Sequence, residues 1–543
     1  MSENEKMTKP KSKKGLVIAG IVAAVLLLTA GIIFGVTRSS KLKPAPKVAI
    51  DKSTPESYLR GVLQNELNGA VDNVYLYFAN ILKDFDITNF NVNVDMKAEP
   101  SAAFLEFFSG SIGLDISCVK NILFNINTTM CKGDQDMTYG LGINDVDVVS
   151  YRIISKSKDG KMYMNIPEVF SKAFLVNLDQ TAREMTSEFL DLYAKLLKAF
   201  AVDKTRLQNM ISHYLDVIAQ SDHKVNMTNG IYDIDTLSME ATSFSGAMDI
   251  GTFDKILISI LEEAKKDTEF QDIVKEMVET LNYVNEYLHI YDSLNLEDFN
   301  AGIDELIADL KQNVEDPEYS KLPLFNYIMY VDSNDSLCAV KFDFDDGIKF
   351  SVGSVTDGKN EVSEIYFDTD DDITVTLKGK GVKENDILTK EYDLYINNYD
   401  TEGPVRLFTM NLDNFDLASL KKGIAKGRAS IGDFNKEVLA EIPLVSDMKF
   451  IFDYNYDSSV KGNVKVGTLY KDQDFLNINM DVMLKKGSKV SIPKGDAVET
   501  TAETLNTDMI QYLDYNPIMS NLEKAGCSDL VTQIMMLLMS GAL

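Results

Sequence analysis

The chain has 543 residues, 45% of them hydrophobic and 25% charged, which excludes wholesale disorder and fibrous repeats. Lys and Arg number 54 against 83 Asp and Glu. The first 50 residues hold nine basic groups and two acidic ones, leaving 45 basic and 81 acidic groups, net −36, on residues 51–543. Such a body repels nucleic acid and anionic headgroups, so no nucleic-acid partner is expected.

Residues 1–14 carry five lysines and read as a short cytoplasmic tail. Gly15 to Val36 is an uncharged run of 22 residues. At ~1.5 Å per residue it reaches about 33 Å, enough to cross a hydrocarbon core of ~30 Å. A cleaved signal peptide would have a shorter apolar region and a small-residue cleavage site, and neither is present. No lipid-bearing cysteine follows, since the first cysteine is Cys118. The expectation is a single-pass protein of the cell membrane, with its amino terminus cytoplasmic and the bulk of the chain extracellular. Gly31 and Gly35 have the spacing of a helix-dimer face, although small residues are ordinary in spans.

The body reads in six parts. Residues 37–53 form a polar linker stiffened by Pro44 and Pro46. Ser53 or Thr54 caps a helix from Pro55 to about Leu82, with Leu59, Val62, Leu63, Leu67, Ala70 and Val71 on one face. Residues 87–178 change to period two: Phe90, Val92, Val94 and Met96 alternate with Asn89, Asn91, Asn93 and Asp95. Ile112–Met130 reads as a further extended stretch, and Lys158–Lys161 as a hairpin turn. Residues 181–313 read as mostly helical, Met185, Phe189, Leu192, Leu196 and Phe200 marking one amphipathic helix. A hairpin centred on Asn229-Gly230 interrupts them.

Residues 325–492 return to strands, with turns expected at Asp346-Gly347, Asp357-Gly358, Gly379-Lys380-Gly381 and Lys486-Gly487. Phe450, Phe452 and Tyr454 should share a face with Leu476, Ile478 and Met480, the two segments pairing through a reversal near Ser458–Gly462. Lys449, Asp453, Asn477 and Asn479 take the other face. Residues 503–540 close the chain with helices. The fold class is α+β, a curved antiparallel sheet packed on helices and covered on one side, with external regions 54–315 and 316–543.

No motif carries chemistry, so no catalytic residue is assigned and no cofactor or metal is expected. Asp332–Ser336 and Asp368–Asp372 resemble calcium loops but lack the Gly and Glu those loops require, and read as hairpin tips. His213, His223 and His289 lack zinc-ligand spacing. Ser117/Lys120, Ser155/Lys158, Ser419/Lys422 and Ser458/Lys461 match Ser-x-x-Lys without its companion motifs. Cys118, Cys131, Cys338 and Cys527 read as buried free thiols, with a Cys118–Cys131 bridge as the alternative. Met535 to Met539 could line a soft apolar groove or serve as ordinary core.

Helix 55–82 leading into alternating strands, with phrases such as Lys161-Met162-Tyr163-Met164-Asn165-Ile166-Pro167-Glu168, resembles the lipoprotein-carrier folds of bacterial envelopes. The layout is also similar to anchored envelope proteins of low-GC Gram-positive bacteria. The resemblance covers most of residues 54–495 and implies a curled half-barrel around an acyl-chain cavity. The helical block 181–313 departs from that layout, and no functional residue carries over. The expected function is a membrane-anchored extracytoplasmic protein without enzymatic activity, binding an apolar or lipidic ligand or an envelope partner. The alternatives are a structural or regulatory envelope protein without a cavity, and an enzyme with an unfamiliar site.

Overall fold

A computed structural model describes residues 48–83, 89–156, 159–178, 204–221, 223–288, 295–369, 373–397, 403–420, 422–439 and 443–540. The span 15–36, the tail before it, most of the linker and the amphipathic segment 185–200 lie outside these. Among the described residues no helix is long and apolar enough to cross a membrane. The fold is α+β with large, mostly antiparallel sheet. The chain divides into two compact units, residues 1–76 with 195–407, and residues 77–194 with 408–543. Both the 54–315 and the 316–543 regions contribute to each unit.

Helix α1 (Pro55–Lys83) begins where Thr54 Oγ1 accepts from the Ser57 amide at 3.1 Å. In unit 1, helix α3 (Lys204–Ala219) follows, then β7 (Asn226–Ile234) and β8 (Leu237–Asp249). Asp249 ends β8 and caps α4 (Ile250–Ala264), accepting from the Thr252 amide at 2.6 Å. Helices α5 (Thr268–Leu288) and α6 (Leu296–Glu315) return the chain to β9 (Pro323–Asp332), which pairs antiparallel with β8. From there β10 (Leu337–Phe344), β11 (Lys349–Thr356), β12 (Asn360–Asp368), β13 (Thr374–Glu384) and β14 (Ile387–Asn397) form a meander.

Tyr58, Leu59 and Val62 of α1 pack on Phe244, Val331, Leu337 and Val340. The opposite face is covered as well. Tyr232 and Ile234 of β7 pack with Cys338, Ala339, Val355 and Val362, so the four consecutive residues 337–340 are all buried. The expected one-sided sheet is therefore corrected at β10. A close approach allows it: a side chain at Gly353 would collide with the Tyr232 hydroxyl.

In unit 2 the strands run antiparallel in the order β15 (Val405–Asp416), β16 (Lys426–Gly432), β17 (Met448–Ser458), β18 (Lys461–Tyr470), β19 (Gln473–Lys486), β1 (Asn89–Pro100), β2 (Ile122–Cys131), β3 (Asp134–Ile143), β4 (Val146–Lys156), β5 (Lys161–Asn165) and β6 (Ala173–Asn177). β20 (Ala497–Thr501) adds in parallel to β6, and the short helices α7 (Leu417–Leu420) and α8 (Pro443–Ser446) follow β15 and precede β17. Lys132-Gly133, Asn144-Asp145 and Lys471-Asp472 have positive φ at both residues, as two-residue hairpin turns require.

Helix α2 (Ala102–Ile112) joins β1 to β2 inside the block 87–178 expected as strands, and the extended run expected over Ile112–Met130 is a strand only from Ile122 on. At the far end of the chain, α9 (Leu505–Gln511) packs on Phe170 and Phe174, while α10 (Asn516–Lys524) and α11 (Ser528–Ser540) pack beside α2, and Cys118 is disulfide-bonded to Cys527 with Cα atoms 5.4 Å apart. Free thiols were expected there, and Cys131 was weighed as the partner. Instead Cys131 and Cys338 are free. Sequence spacing could not show a bridge between residues 409 apart, which only the sheet topology brings together.

Three turn expectations fail for one reason: the glycines serve the strands. Asn229-Gly230 lies inside β7, whose turn is at Asp235. Gly379 and Gly381 lie inside β13, where they clear space for Lys390 and Tyr392. Lys486-Gly487 runs on from β19 without a turn, the Gly487 amide donating to the Asn89 carbonyl at 3.1 Å. The reversal expected near Ser458–Gly462 is present, but it leads into strand β18, which stands between segments 448–456 and 476–484, so these two are not neighbours.

Candidate functional site on the polar sheet face

The six apolar residues expected to share a face do so. Phe450, Phe452 and Tyr454 stand opposite Thr468, Val466 and Val464, which stand opposite Leu476, Ile478 and Met480. The alternation continues across β1 and β2 through Val94/Ile126 and Met96/Phe124. The other face is built from polar groups in two cross-strand rows. One reads Arg428, Asp453, Lys465, Asn479, Lys97; the other reads Asn455, Asn463, Asp481, Asp95, Asn125. Successive members are about 5 Å apart, the spacing of adjacent strands.

A depression of about 440 Å³ opens on this face, lined by Asp453, Asn455, Asn463, Lys465, Asn479 and Asp481. Its walls are held by mutual hydrogen bonds. Asn463 Nδ2 donates to Asn479 Oδ1 at 2.9 Å and to Asp481 Oδ1 at 2.8 Å. The Arg428 guanidinium grips Asp453 with two bonds, of 2.5 and 3.1 Å. The network extends sideways: Asn93 and Asn125 donate to the two oxygens of Asp95 at 2.7 and 2.8 Å, and Asn127 donates to Asn93 at 3.0 Å. Among the described residues the Lys465 ammonium makes no ion pair and the Asn455 amide makes no side-chain hydrogen bond. The depression thus offers fixed acceptors beside two uncommitted donors.

Two features of this face oppose stability. Asn and Asp are depleted in strands, yet they fill it. Asp95 and Asp481 are directly opposed across β1 and β19, a like-charge pairing that is locally unfavourable. Rules broken at one place without a gain in stability make this face the candidate functional surface. Asp453, Asn477 and Asn479 were placed on this face from period two alone. The depression was missed because its central strand β18, which follows the reversal expected near Ser458–Gly462, was not read as a strand.

The other candidates stay local. His213 Nε2 is 3.0 Å from Glu263 Oε1 on half-exposed helical surface, and His223 Nδ1 is 2.8 Å from Ser221 Oγ two residues away. His289 lies outside the described residues. Ser419 gives its hydroxyl to Asp416 at 2.6 Å, and Asp332 accepts from the Asn334 and Ser336 amides, closing its hairpin tip. Among the described residues no three His, Cys, Asp or Glu side chains are grouped to hold a metal ion. No protein-family model, curated protein or solved structure matches the chain.

Proposed function

We propose that the protein is a single-pass, membrane-tethered extracytoplasmic binding protein without enzymatic activity, and that its envelope partner is a polyhydroxylated polymer held on the polar face of unit 2. One observation carries this reading: the Asn455–Asn463–Asp481 row beside Asp453–Lys465–Asn479 interleaves donors and acceptors at strand spacing on a rigid floor. A sugar hydroxyl both donates and accepts, so it needs this mixture, and preorganised groups lose little entropy on binding. The Cys118–Cys527 bridge supports an oxidising, extracytoplasmic setting. The test is co-sedimentation of the full chain, in mild detergent, with insoluble envelope polysaccharide. Wild type should pellet, and the double variant Asn463→Thr/Asn479→Thr should stay in the supernatant.

A lipidic ligand is the second reading. It is favoured by Phe124 and Tyr139, which are 38% and 40% exposed on the apolar face. Mass spectrometry of lipids co-purifying with the full chain separates the two: stoichiometric lipid supports the second reading, and its absence from a polysaccharide-binding chain supports the first.

A further inference from the structure

The polar face leaves unexplained an apolar tip at the turn from β1 to β2. Helix α2 is capped by Ser101, whose Oγ accepts from the Phe104 amide, and is stopped by Gly113 in the left-handed conformation. From Ser101 to Gly113 the only charge is Glu106. Leu105 is buried against the C-terminal helices, and Phe104 packs edge-on to Phe475 at 5.2 Å. Beside the exposed Glu106 and Ser111, the outward face carries large apolar side chains, which a surface helix normally keeps inside. Phe107 is 52% exposed, Phe108 43% and Ile112 44%. The base is rigid. The Asp115 amide donates to Gln533 Oε1 on α11, the disulfide fixes Cys118, and Val119 is buried. On α11, Met536 is exposed as well.

Three large apolar side chains exposed on one short, firmly based helix mark an interaction surface. We infer that this tip inserts into the bilayer interface. The inference rests on the reading that residues 15–36 anchor the chain. A tether of 17 residues spans at most about 60 Å, so the bilayer is the apolar phase held permanently within reach. Tethering makes even weak insertion effective. The charge pattern selects how it binds. Helix α2 has no cation to meet anionic headgroups, so Phe107, Phe108 and Ile112 insert into zwitterionic lipid by apolar burial alone, independently of salt.

The chain contains no Trp, so Phe107→Trp or Phe108→Trp installs a single fluorescent reporter. The full chain carrying either substitution is reconstituted into zwitterionic vesicles containing brominated phosphatidylcholine, with Ile231→Trp on β7 as the control. The expected result is flotation with the vesicles, blue-shifted emission from both α2 reporters, and bromine quenching of at least half that emission, unchanged by 0.5 M salt, with the control unquenched. Flotation with unquenched α2 reporters overturns the inference and leaves the anchor standing. Failure to float overturns both. Blue-shifted, unquenched emission that rises with protein concentration assigns the tip to a second copy and overturns the inference. Equal quenching of the control also overturns it.

Discussion

Asp254 sits buried on α4 with one carboxylate oxygen lacking a hydrogen bond. Burial pushes its pKa above the usual carboxylate value, and the Asn313 side chain opposes this by hydrogen bonding to it. The folded chain therefore holds this proton to higher pH than the unfolded chain does. The stability it contributes is complete below the unfolded value of about 4 and is lost as pH rises through the folded value. Asp254→Asn should raise stability at neutral pH and flatten its decline between about pH 4 and 7, measured by chemical denaturation at both ends. Lys390 and Glu361 make the opposite case, a buried pair 2.6 Å apart over Gly379 and Gly381. Lys390→Met alone should cost about 3 kcal/mol or more, because it strands the carboxylate. Lys390→Met with Glu361→Leu should recover most of that loss in the same denaturation experiment.

At the scale of the strand, the two faces of β17 predict different outcomes. Phe452 is half-buried between Ala429 and Val466, so Phe452→Ala should cost about 2–3 kcal/mol, below the loss at a fully buried site. Asp453→Ala, which breaks only the exposed pair with Arg428, should cost about 0.5–1 kcal/mol. Asn463→Thr should leave stability equal or raise it by a few tenths, up to about 1 kcal/mol, since threonine suits a strand better. Urea titrations of the three variants check the order. Period two was legible in the sequence wherever one face is apolar, so β17, β19 and β1 were placed with the correct faces. It stopped short at β18, where the reversal near Ser458–Gly462 was legible but the strand after it was not, and Gly462 clears room for Tyr456. It failed at α2 because Ala102–Ile112 is too short and too evenly apolar to show a helical stripe. Of the residues lining the site, Asp453 and Asn479 were legible in the sequence; Asn463 and Lys465 lie on the unread strand β18, and the convergence of all of them depends on pairing in space.

At the scale of the whole molecule, unit 2 is held partly by a link between distant parts of the chain, since Cys118 and Cys527 close a loop through 409 residues. Cys118→Ser with Cys527→Ser should lower stability by about 2–4 kcal/mol, and a reducing agent should lower the wild-type melting temperature but not that of the variant. The bridge pins α10 and α11 to the connection between β1 and β2, at one end of the same sheet that carries the polar rows. Rigidity there and the poor strand-formers on the polar face are complementary: one supplies stability, and the other uses it to keep amides, carboxylates and an ammonium in place. Calorimetric titration of the full chain with soluble fragments of envelope polysaccharide tests this account most directly. The account predicts saturable heat for wild type and none for Asn463→Thr/Asn479→Thr, with the variant melting no lower than wild type. No heat from wild type, or equal heat from both chains, would contradict it.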